Sequence, residues 1–332
     1  MGILINGVWR ADGTFPTNPS GHFVRSDSVL RNWVTPDGAP GPSGIGGFAA
    51  EPGRYHLYVA LACPWAHRTL IFRKLKRLEE VISVSVVDPF MGAEGWSFTA
   101  PDGSLTTHST PDQVNGARYL YELYVKAVPE YTGRVTVPVL WDKRNATIVN
   151  NESSEIIRML NSAFDRWGDA TLDLYPAPLR DEIDWINAQV YANVNNGVYR
   201  CGFATTQQAY EEAFDILFTT LDELEARLSR NRYLAGERVT EADWRLFTTL
   251  VRFDAVYHFH FKCNLRRVRD YPNLWGYARE LYQWPGVAET VDLAQIKRHY
   301  YASHANINPT RIVPKGPVID FREPHDRARR YP

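Results

Sequence analysis

The chain is poor in cysteine, in net charge and in long apolar runs, and each shortage excludes a class of protein. Three cysteines in 332 residues are too few for a disulfide framework and fit a reducing compartment. The formal net charge of −1 indicates neither a nucleic-acid nor a membrane-surface partner. No apolar run approaches the roughly 20 residues that cross a bilayer, and the N-terminus lacks the pattern of a secretory signal. We therefore expect a soluble, cytoplasmic protein that binds no nucleic acid and no membrane.

The most informative residue is Cys63, which the sequence pattern places between a strand and a helix. The run Tyr55–Leu61 is apolar and aromatic, as expected of a buried strand. Pro64 then takes the first helical position, where its missing N–H costs nothing, and a helical pattern continues to Leu78. A thiol at a helix start faces unpaired backbone N–H groups and the positive end of the helix dipole. We predict a reactive thiol of lowered pKa; the alternative interpretation is a buried structural cysteine.

A second cysteine is missing from this helix start. A Cys-x-x-Cys pair would place its second thiol at position 66, which is Ala66. An intramolecular disulfide cycle is therefore not expected. An external thiol must complete any redox cycle of Cys63, and glutathione is the abundant cytosolic thiol. His67, one helical turn further on, is an alternative activating base, although the helix terminus already favours the thiolate.

Composition divides the chain into four stretches. Residues 1–53 are rich in glycine and proline and predict an extended N-terminal arm. Residues 54–168 predict an α/β domain of thioredoxin-like fold, because Val81–Val87 reads as a second strand that pairs in parallel with the first. Residues 178–302 predict an all-helical domain, and 303–332 an irregular tail.

The later part of the α/β domain contains two candidate binding elements. The segment Arg134–Trp141 reads as a strand interrupted by Pro138. In a thioredoxin-type domain such a proline is cis and faces the active thiol, so that the backbone of Val137 can pair with a bound peptide. A helix then begins with Glu152 and Ser153 in its first turn, where free N–H groups can receive a carboxylate. The alternative for this turn is an ordinary capped helix start.

Other elements follow from the same periodicities. The pattern predicts a capping box between Thr240 and Asp243. The remaining predicted elements are a helix over Ala117–Val128, a strand over Thr147–Asn150, and helices over Leu179–Val198, Thr206–Ser229, Thr240–Tyr257, Asn273–Leu281 and Val287–Tyr300.

A thioredoxin-like domain with a lone cysteine, followed by an all-helical domain, resembles the cytosolic glutathione transferases. The likeness narrows to the Xi class, the glutathionyl-hydroquinone reductases, and it spans nearly the whole chain. The segments that carry it are 62–69, 95–96, 133–142, 150–154, 195–199 and 299–304. The resemblance implies the glutathione transferase fold and a homodimer formed through the helical domain.

The resemblance also implies roles for individual residues. Cys63 matches the catalytic thiol. The positions that match the glutathione site are Trp96, Arg134, Val137, Glu152 and Ser153. The positions that match the hydroquinone pocket are Tyr199, Tyr257 and Tyr300, and Tyr199 or Tyr300 is the candidate proton donor. Each tyrosine taken alone has the alternative interpretation of a half-buried core residue.

The implied reaction removes glutathione from a glutathionyl-hydroquinone through a mixed disulfide on Cys63, with glutathione as co-substrate. No metal is expected, because His258, His260 and Cys263 lie close together in sequence but lack a fourth ligand. Two alternatives stay open. One is a broader cysteine-type glutathione transferase, active as a thiol transferase or a reductive dehalogenase of aromatics. The other is a binding module that kept the fold and lost its chemistry.

Overall fold

The computed structural model describes residues 2–13 and 16–331. Its residues form two compact units that are not continuous in sequence. The first unit contains residues 2–13, Asp27–Leu172 and Ala294–His304. The second contains residues 16–26, Asp173–Leu293 and residues 305–331. Among the described residues, no helix is long and apolar enough to cross a membrane.

The first unit is built on a four-stranded mixed sheet. Its strands are β3 (Tyr55–Val59), β4 (Ser83–Val86), β5 (Val139–Asp142) and β6 (Thr147–Asn150), after an N-terminal hairpin of β1 (Ile3–Ile5) and β2 (Val8–Arg10). The order across the sheet is β4-β3-β5-β6. Strands β3 and β4 pair in parallel, as predicted, whereas β5 is antiparallel to both of its neighbours.

Helices occur in both units, the first three along the chain in the first unit and most of the others in the second. In chain order they are α1 (Pro64–Leu75), α2 (Leu120–Ala127), α3 (Ser153–Ser162), α4 (Arg180–Gln189), α5 (Gly197–Gly202), α6 (Gln207–Leu228), α7 (Glu241–Arg252), α8 (His258–His260), α9 (Pro272–Tyr282), α10 (Leu293–Ser303) and α11 (Arg327–Arg330). The predicted domain limits place α10 with the helical domain, whereas by compactness Ala294–His304 group with the first unit.

Strand β3 and helix α1 place the candidate thiol. All five residues of β3 are buried, as its apolar sequence predicts. Pro64 begins α1 directly after Cys63. The predicted helix end at Leu78 is wrong, because Arg77 has a left-handed φ of 55° and the helix stops at Leu75.

Two π-helical turns interrupt helices that the sequence pattern predicts to be continuous. Val190–Asn195 separates α4 from α5, and Phe253–Tyr257 follows α7. The predictions of single α-helices over Leu179–Val198 and Thr240–Tyr257 are therefore wrong at these two π-helical turns. A π-helical turn adds one residue to a turn and re-aims the side chains after it, and such turns are frequent at functional sites.

Three further corrections concern the last long helix, the N-terminal arm and the C-terminal tail. The helix predicted over Val287–Tyr300 begins only at Leu293, after a 3₁₀ turn at Ala288–Thr290 and the two non-helical residues Val291 and Asp292. The arm contains the β1–β2 hairpin, and the tail contains the short helix α11.

The predicted capping box is confirmed, since the N–H of Thr240 donates to the Asp243 carboxylate over 2.7 Å.

A buried ion pair fixes the edge of β3 to β5. The Arg54 guanidinium donates two hydrogen bonds to the Asp142 carboxylate, at 3.1 and 2.6 Å. Asp142 has no exposed surface and Arg54 is 7% exposed. The two residues stand at the paired ends of the strands, where Tyr55 lies opposite Asp142. Arg54 also pairs with Glu51 over 3.0 Å, so removal of Arg54 leaves Asp142 as a buried, uncompensated charge, whereas removal of Asp142 leaves Arg54 with one carboxylate partner.

Candidate active site

Cys63 occupies the N-cap position of α1. Its backbone is extended (φ −78°, ψ 123°), and its carbonyl accepts the N–H of His67 over 3.0 Å. The thiol is partly exposed, whereas Cys201 and Cys263 are buried. Burial raises the pKa of the Cys263 thiol. Of the three thiols, Cys63 thus combines access with a helix N-terminus, the environment that favours a thiolate.

The structure brings Cys63 and Val137 together. The Cys63 thiol donates to the carbonyl oxygen of Val137 over 3.5 Å. The peptide bond between Val137 and Pro138 is cis, as predicted. Because Pro138 directly precedes β5, the backbone of Val137 lies where a bound peptide can pair with it beside the thiol.

The start of α3 combines an acceptor with a nearby cation. Glu152 is the N-cap residue, and its carboxylate accepts the N–H of Ser154 over 2.9 Å. The guanidinium of Arg68, which is 1% exposed, donates to the Ser153 hydroxyl over 3.3 Å. A carboxylate beside a helix N-terminus and an arginine suits a ligand end that carries both an ammonium and a carboxylate group.

Trp96 is held by a residue that sequence reasoning did not single out. Its ring stacks on His299 of α10 with a centroid distance of 4.7 Å and an interplanar angle of 20°. The Nδ1 atom of His299 lies 2.9 Å from the carbonyl oxygen of Pro89. Only the family resemblance indicates a role for the segment 299–304 in the sequence, because its hydrogen-bond partners lie about 200 positions earlier in the chain.

The other predicted glutathione residue, Arg134, lies in the loop before the cis bond. It is partly exposed, and its carbonyl accepts the Tyr131 hydroxyl over 3.1 Å. Cys63, Trp96, Arg134, Val137, Glu152 and Ser153 all belong to the first unit. Among the described residues, no group of three or more His, Cys, Asp or Glu side chains is placed to hold a metal ion.

The three candidate tyrosines fall in both units. In the second unit, Tyr199 and Tyr257 have ring centroids 6.0 Å apart, and both pack on Phe261, at 5.5 and 5.6 Å. Tyr199 is half-buried, and Tyr257 has no exposed surface. Tyr257 ends one π-helical turn, and Tyr199 follows the other by four residues.

Tyr300 belongs to the first unit, on α10. It is 1% exposed, and its ring centroid lies 5.1 Å from that of His299 and 5.5 Å from that of His304. His299 also stacks on Trp96, so Tyr300 and the predicted glutathione residue Trp96 both pack against the same histidine ring.

Comparisons with known proteins agree with this architecture. The family model "Glutathione S-transferase, N-terminal domain" matches residues 62–163, and the corresponding C-terminal domain model matches 207–280. The chain is 56% identical to glutathionyl-hydroquinone reductase YqjG of Escherichia coli over 100% of both chains. It is 57% identical to glutathionyl-hydroquinone reductase PcpF of Sphingobium chlorophenolicum, over 96% of this chain and 97% of that one.

Solved structures give the same result. The glutathione-bound structure of YqjG superposes with a TM-score of 0.91 at 53% identity, and it covers 99% of this chain and 100% of that one. A Xi-class glutathione transferase from Natrialba magadii gives 0.90 at 50% identity, with 99% and 97% covered.

The class of protein follows first, since the two domains and their fold are those of the glutathione S-transferases. Within that class, the chain belongs to the Xi-class family of glutathionyl-hydroquinone reductases. The fold and the family predicted from the sequence are confirmed.

Proposed function

We propose that this chain reduces glutathionyl-hydroquinones to hydroquinones, with glutathione as co-substrate and Cys63 as the nucleophile. The observation that carries the proposal is the position of the Cys63 thiol, at the start of α1 and 3.5 Å from the Val137 carbonyl oxygen. Its relatives YqjG and PcpF, at 56% and 57% identity, are named for this activity.

Glutathione fits the polar groups around the thiol. The backbone of Val137 pairs with the cysteinyl residue of glutathione and sets its sulfur beside Cys63. Glu152 receives the ammonium of the γ-glutamyl end, while Ser153 and the N–H groups of α3 receive its carboxylate. Arg134 pairs with the glycyl carboxylate, and Trp96 packs against the tripeptide. The glutathione-bound structure of YqjG supports glutathione as the ligand.

The first chemical step forms a mixed disulfide. The Cys63 thiolate attacks the sulfur of the glutathionyl substituent, so that a sulfur–sulfur bond forms and the bond between sulfur and the aryl carbon breaks. The electron pair of the broken bond goes to the aryl carbon, which takes a proton. The aromatic ring is thereby reduced by two electrons, and the two sulfur atoms are oxidised to the disulfide.

The second step regenerates the enzyme. A glutathione thiolate attacks the glutathionyl sulfur of the mixed disulfide, which releases oxidised glutathione and the Cys63 thiolate. One glutathionyl-hydroquinone and one glutathione therefore yield one hydroquinone and one oxidised glutathione. This chemistry requires no metal ion.

A tyrosine supplies the proton to the leaving carbon. A free aryl carbanion is avoided when a phenol donates to that carbon, or when the substrate reacts as its keto tautomer. We propose Tyr199 or Tyr300 as the donor, and Tyr199, Tyr257 and Tyr300 as the residues that line the hydroquinone pocket.

Product release tests the proposal. The wild-type protein is given glutathionyl-menadiol and glutathione, and free menadiol and oxidised glutathione are quantified by chromatography. We expect equal amounts of both products, none with Cys63→Ala, and unchanged release with Cys263→Ala, which removes a buried thiol instead. Full activity of Cys63→Ala would refute the mechanism. Faster turnover of chlorohydroquinones would favour the broader glutathione transferase over the reductase.

The assembly and location of the protein are further proposals. We propose a homodimer formed through the helical domain, which light scattering of the purified chain would test; a monomer at micromolar concentration would contradict it. We also propose a cytoplasmic location, where glutathione keeps thiols reduced.

A further inference from the structure

We propose that Arg25, on the N-terminal arm, is a positioning residue that holds Tyr199 in the orientation needed for turnover. The inference rests on the function proposed above. The contacts from which it is argued lie within the second unit, to which residues 16–26 of the arm belong.

Arg25 bridges two residues of the α5 region. Its guanidinium carbon lies 4.9 Å from the centroid of the Tyr199 ring, in the geometry of a cation–π contact. Its Nε–H donates to the Oδ1 atom of Asn196 over 2.6 Å. Asn196 occupies the N-cap position of α5, and Tyr199 follows it by three residues, so the two side chains share one helix face.

Helix α5 is short and follows a break in α-helical geometry. It has six residues, and it continues the helical backbone of α4 through the π-helical turn, which ends at Asn195 directly before the N-cap residue. On another side, Gly202 lies so close to Phe261 that a Cβ atom there would sit 2.3 Å from the ring. Phe261 and Arg25 therefore both pack against the Tyr199 ring.

The arm is itself anchored close to Arg25. The N–H of Thr205 donates to the Gly21 carbonyl oxygen over 3.0 Å, and the Thr206 hydroxyl donates to the Ser20 carbonyl oxygen over 2.9 Å. Gly21 has a φ of +87°, and a Cβ atom there would lie 2.6 Å from the Thr206 side chain. Only glycine fits this contact without strain. The anchor therefore fixes the arm four residues before the arginine.

Phe23, also on the arm, packs near Tyr199 as well. Its ring centroid lies 6.5 Å from that of Tyr199 and 5.4 Å from that of Phe203. The arm thus contributes an aromatic ring and a cation to the cluster that surrounds Tyr199. Loss of the cation removes the contact of Arg25 with the Tyr199 ring. The glutathione residues belong to the first unit, so the effect should fall on kcat and leave the KM for glutathione unchanged.

The test is a double-mutant cycle with glutathionyl-menadiol as substrate. The variants are Arg25→Met, Tyr199→Phe and the pair together. Arg25→Lys keeps the charge and gives up the geometry of the Nε–Asn196 hydrogen bond. Arg180→Met is the matched control, because the Arg180 guanidinium lies 5.0 Å from the ring of Tyr175 elsewhere in the same unit. Hydrogen exchange of residues 197–203 is measured in parallel, as a readout that does not depend on activity.

We expect Arg25→Met to lower kcat on the order of tenfold, with Arg25→Lys intermediate and Arg180→Met unchanged. In the Tyr199→Phe background, Arg25→Met should lower kcat less than about twofold, because the group that it positions is gone. Residues 197–203 should exchange faster in Arg25→Met.

Three results would overturn the inference: wild-type kcat in Arg25→Met, an undiminished effect of Arg25→Met in the Tyr199→Phe background, or wild-type kcat in Tyr199→Phe. Absence of turnover in the wild type would refute the proposed function instead, and the exchange data would still report whether Arg25 orders α5.

Discussion

His56 makes the stability of the first unit dependent on pH. It lies on β3 with 1% of its surface exposed, and its Nδ1 atom is 2.7 Å from the Ser83 hydroxyl. Burial lowers the pKa of His56 from 6.5 to about 4, because the charged imidazolium is disfavoured away from water. The folded chain therefore keeps His56 neutral at pH values where the unfolded chain takes up a proton.

The sign and size of the effect follow from this difference in pKa. The stabilisation is fully present above pH 6.5 and is lost as the pH falls towards 4, since only the unfolded state gains the proton in that interval. Each pH unit inside the interval corresponds to 1.36 kcal/mol, so the upper limit is about 3 kcal/mol. Between pH 7 and pH 5 the expected loss is about 2 kcal/mol.

Urea unfolding at several pH values between 7.5 and 4.5 measures this loss. The His56→Phe variant keeps a ring of similar size and cannot titrate, so its free energy of unfolding should fall less steeply than that of the wild type. His108→Ala, which changes an exposed histidine, should follow the wild-type curve. Parallel curves for His56→Phe and the wild type would refute the reasoning.

Three further predictions concern the ion pair, the arm and the glutathione site. Asp142→Ala should lower the free energy of unfolding by about 1.5–3 kcal/mol in urea titrations, because the buried guanidinium of Arg54 loses two charged hydrogen bonds and keeps only Glu51 as a carboxylate partner; a loss below 1 kcal/mol would contradict this. Gly21→Ala should lower kcat as Arg25→Met does, whereas Gly53→Ala, at a φ of +75° with open space around it, should leave kcat unchanged. Equal kcat values for both glycine variants would contradict the anchor. Glu152→Gln should raise the KM for glutathione on the order of tenfold, through loss of a charged hydrogen bond, while Glu155→Gln should not; an unchanged KM in initial-rate assays would exclude Glu152 from the site.

Local sequence signals predicted the elements that build the site. An apolar run followed by Cys63 and Pro64 defines a strand and a helix start through chemistry within ten residues, and the structure has both. The capping box of Thr240 and Asp243 is equally local. The strand Thr147–Asn150 has the predicted bounds, because its turn and its apolar residues are contiguous.

The features that escaped prediction depend on backbone irregularity or on distant partners. A π-helical turn inserts a residue without changing the apolar content of a helix, so the breaks before Gly197 and at Phe253 leave no periodic signal. Arg25 contacts Asn196 across 171 positions, and His299 contacts Pro89 across 210. Such contacts arise only when the chain has folded, and no local pattern indicates them.

The central claim is that the Cys63 sulfur attacks the glutathionyl sulfur of the substrate. Intact-protein and peptide mass spectrometry after a single turnover, with glutathionyl-menadiol and no free glutathione, tests it most directly. The account predicts one glutathione adduct, on the peptide that contains Cys63, which added glutathione then removes. An adduct that carries the aromatic ring, or release of menadiol with no adduct on Cys63, would contradict the account.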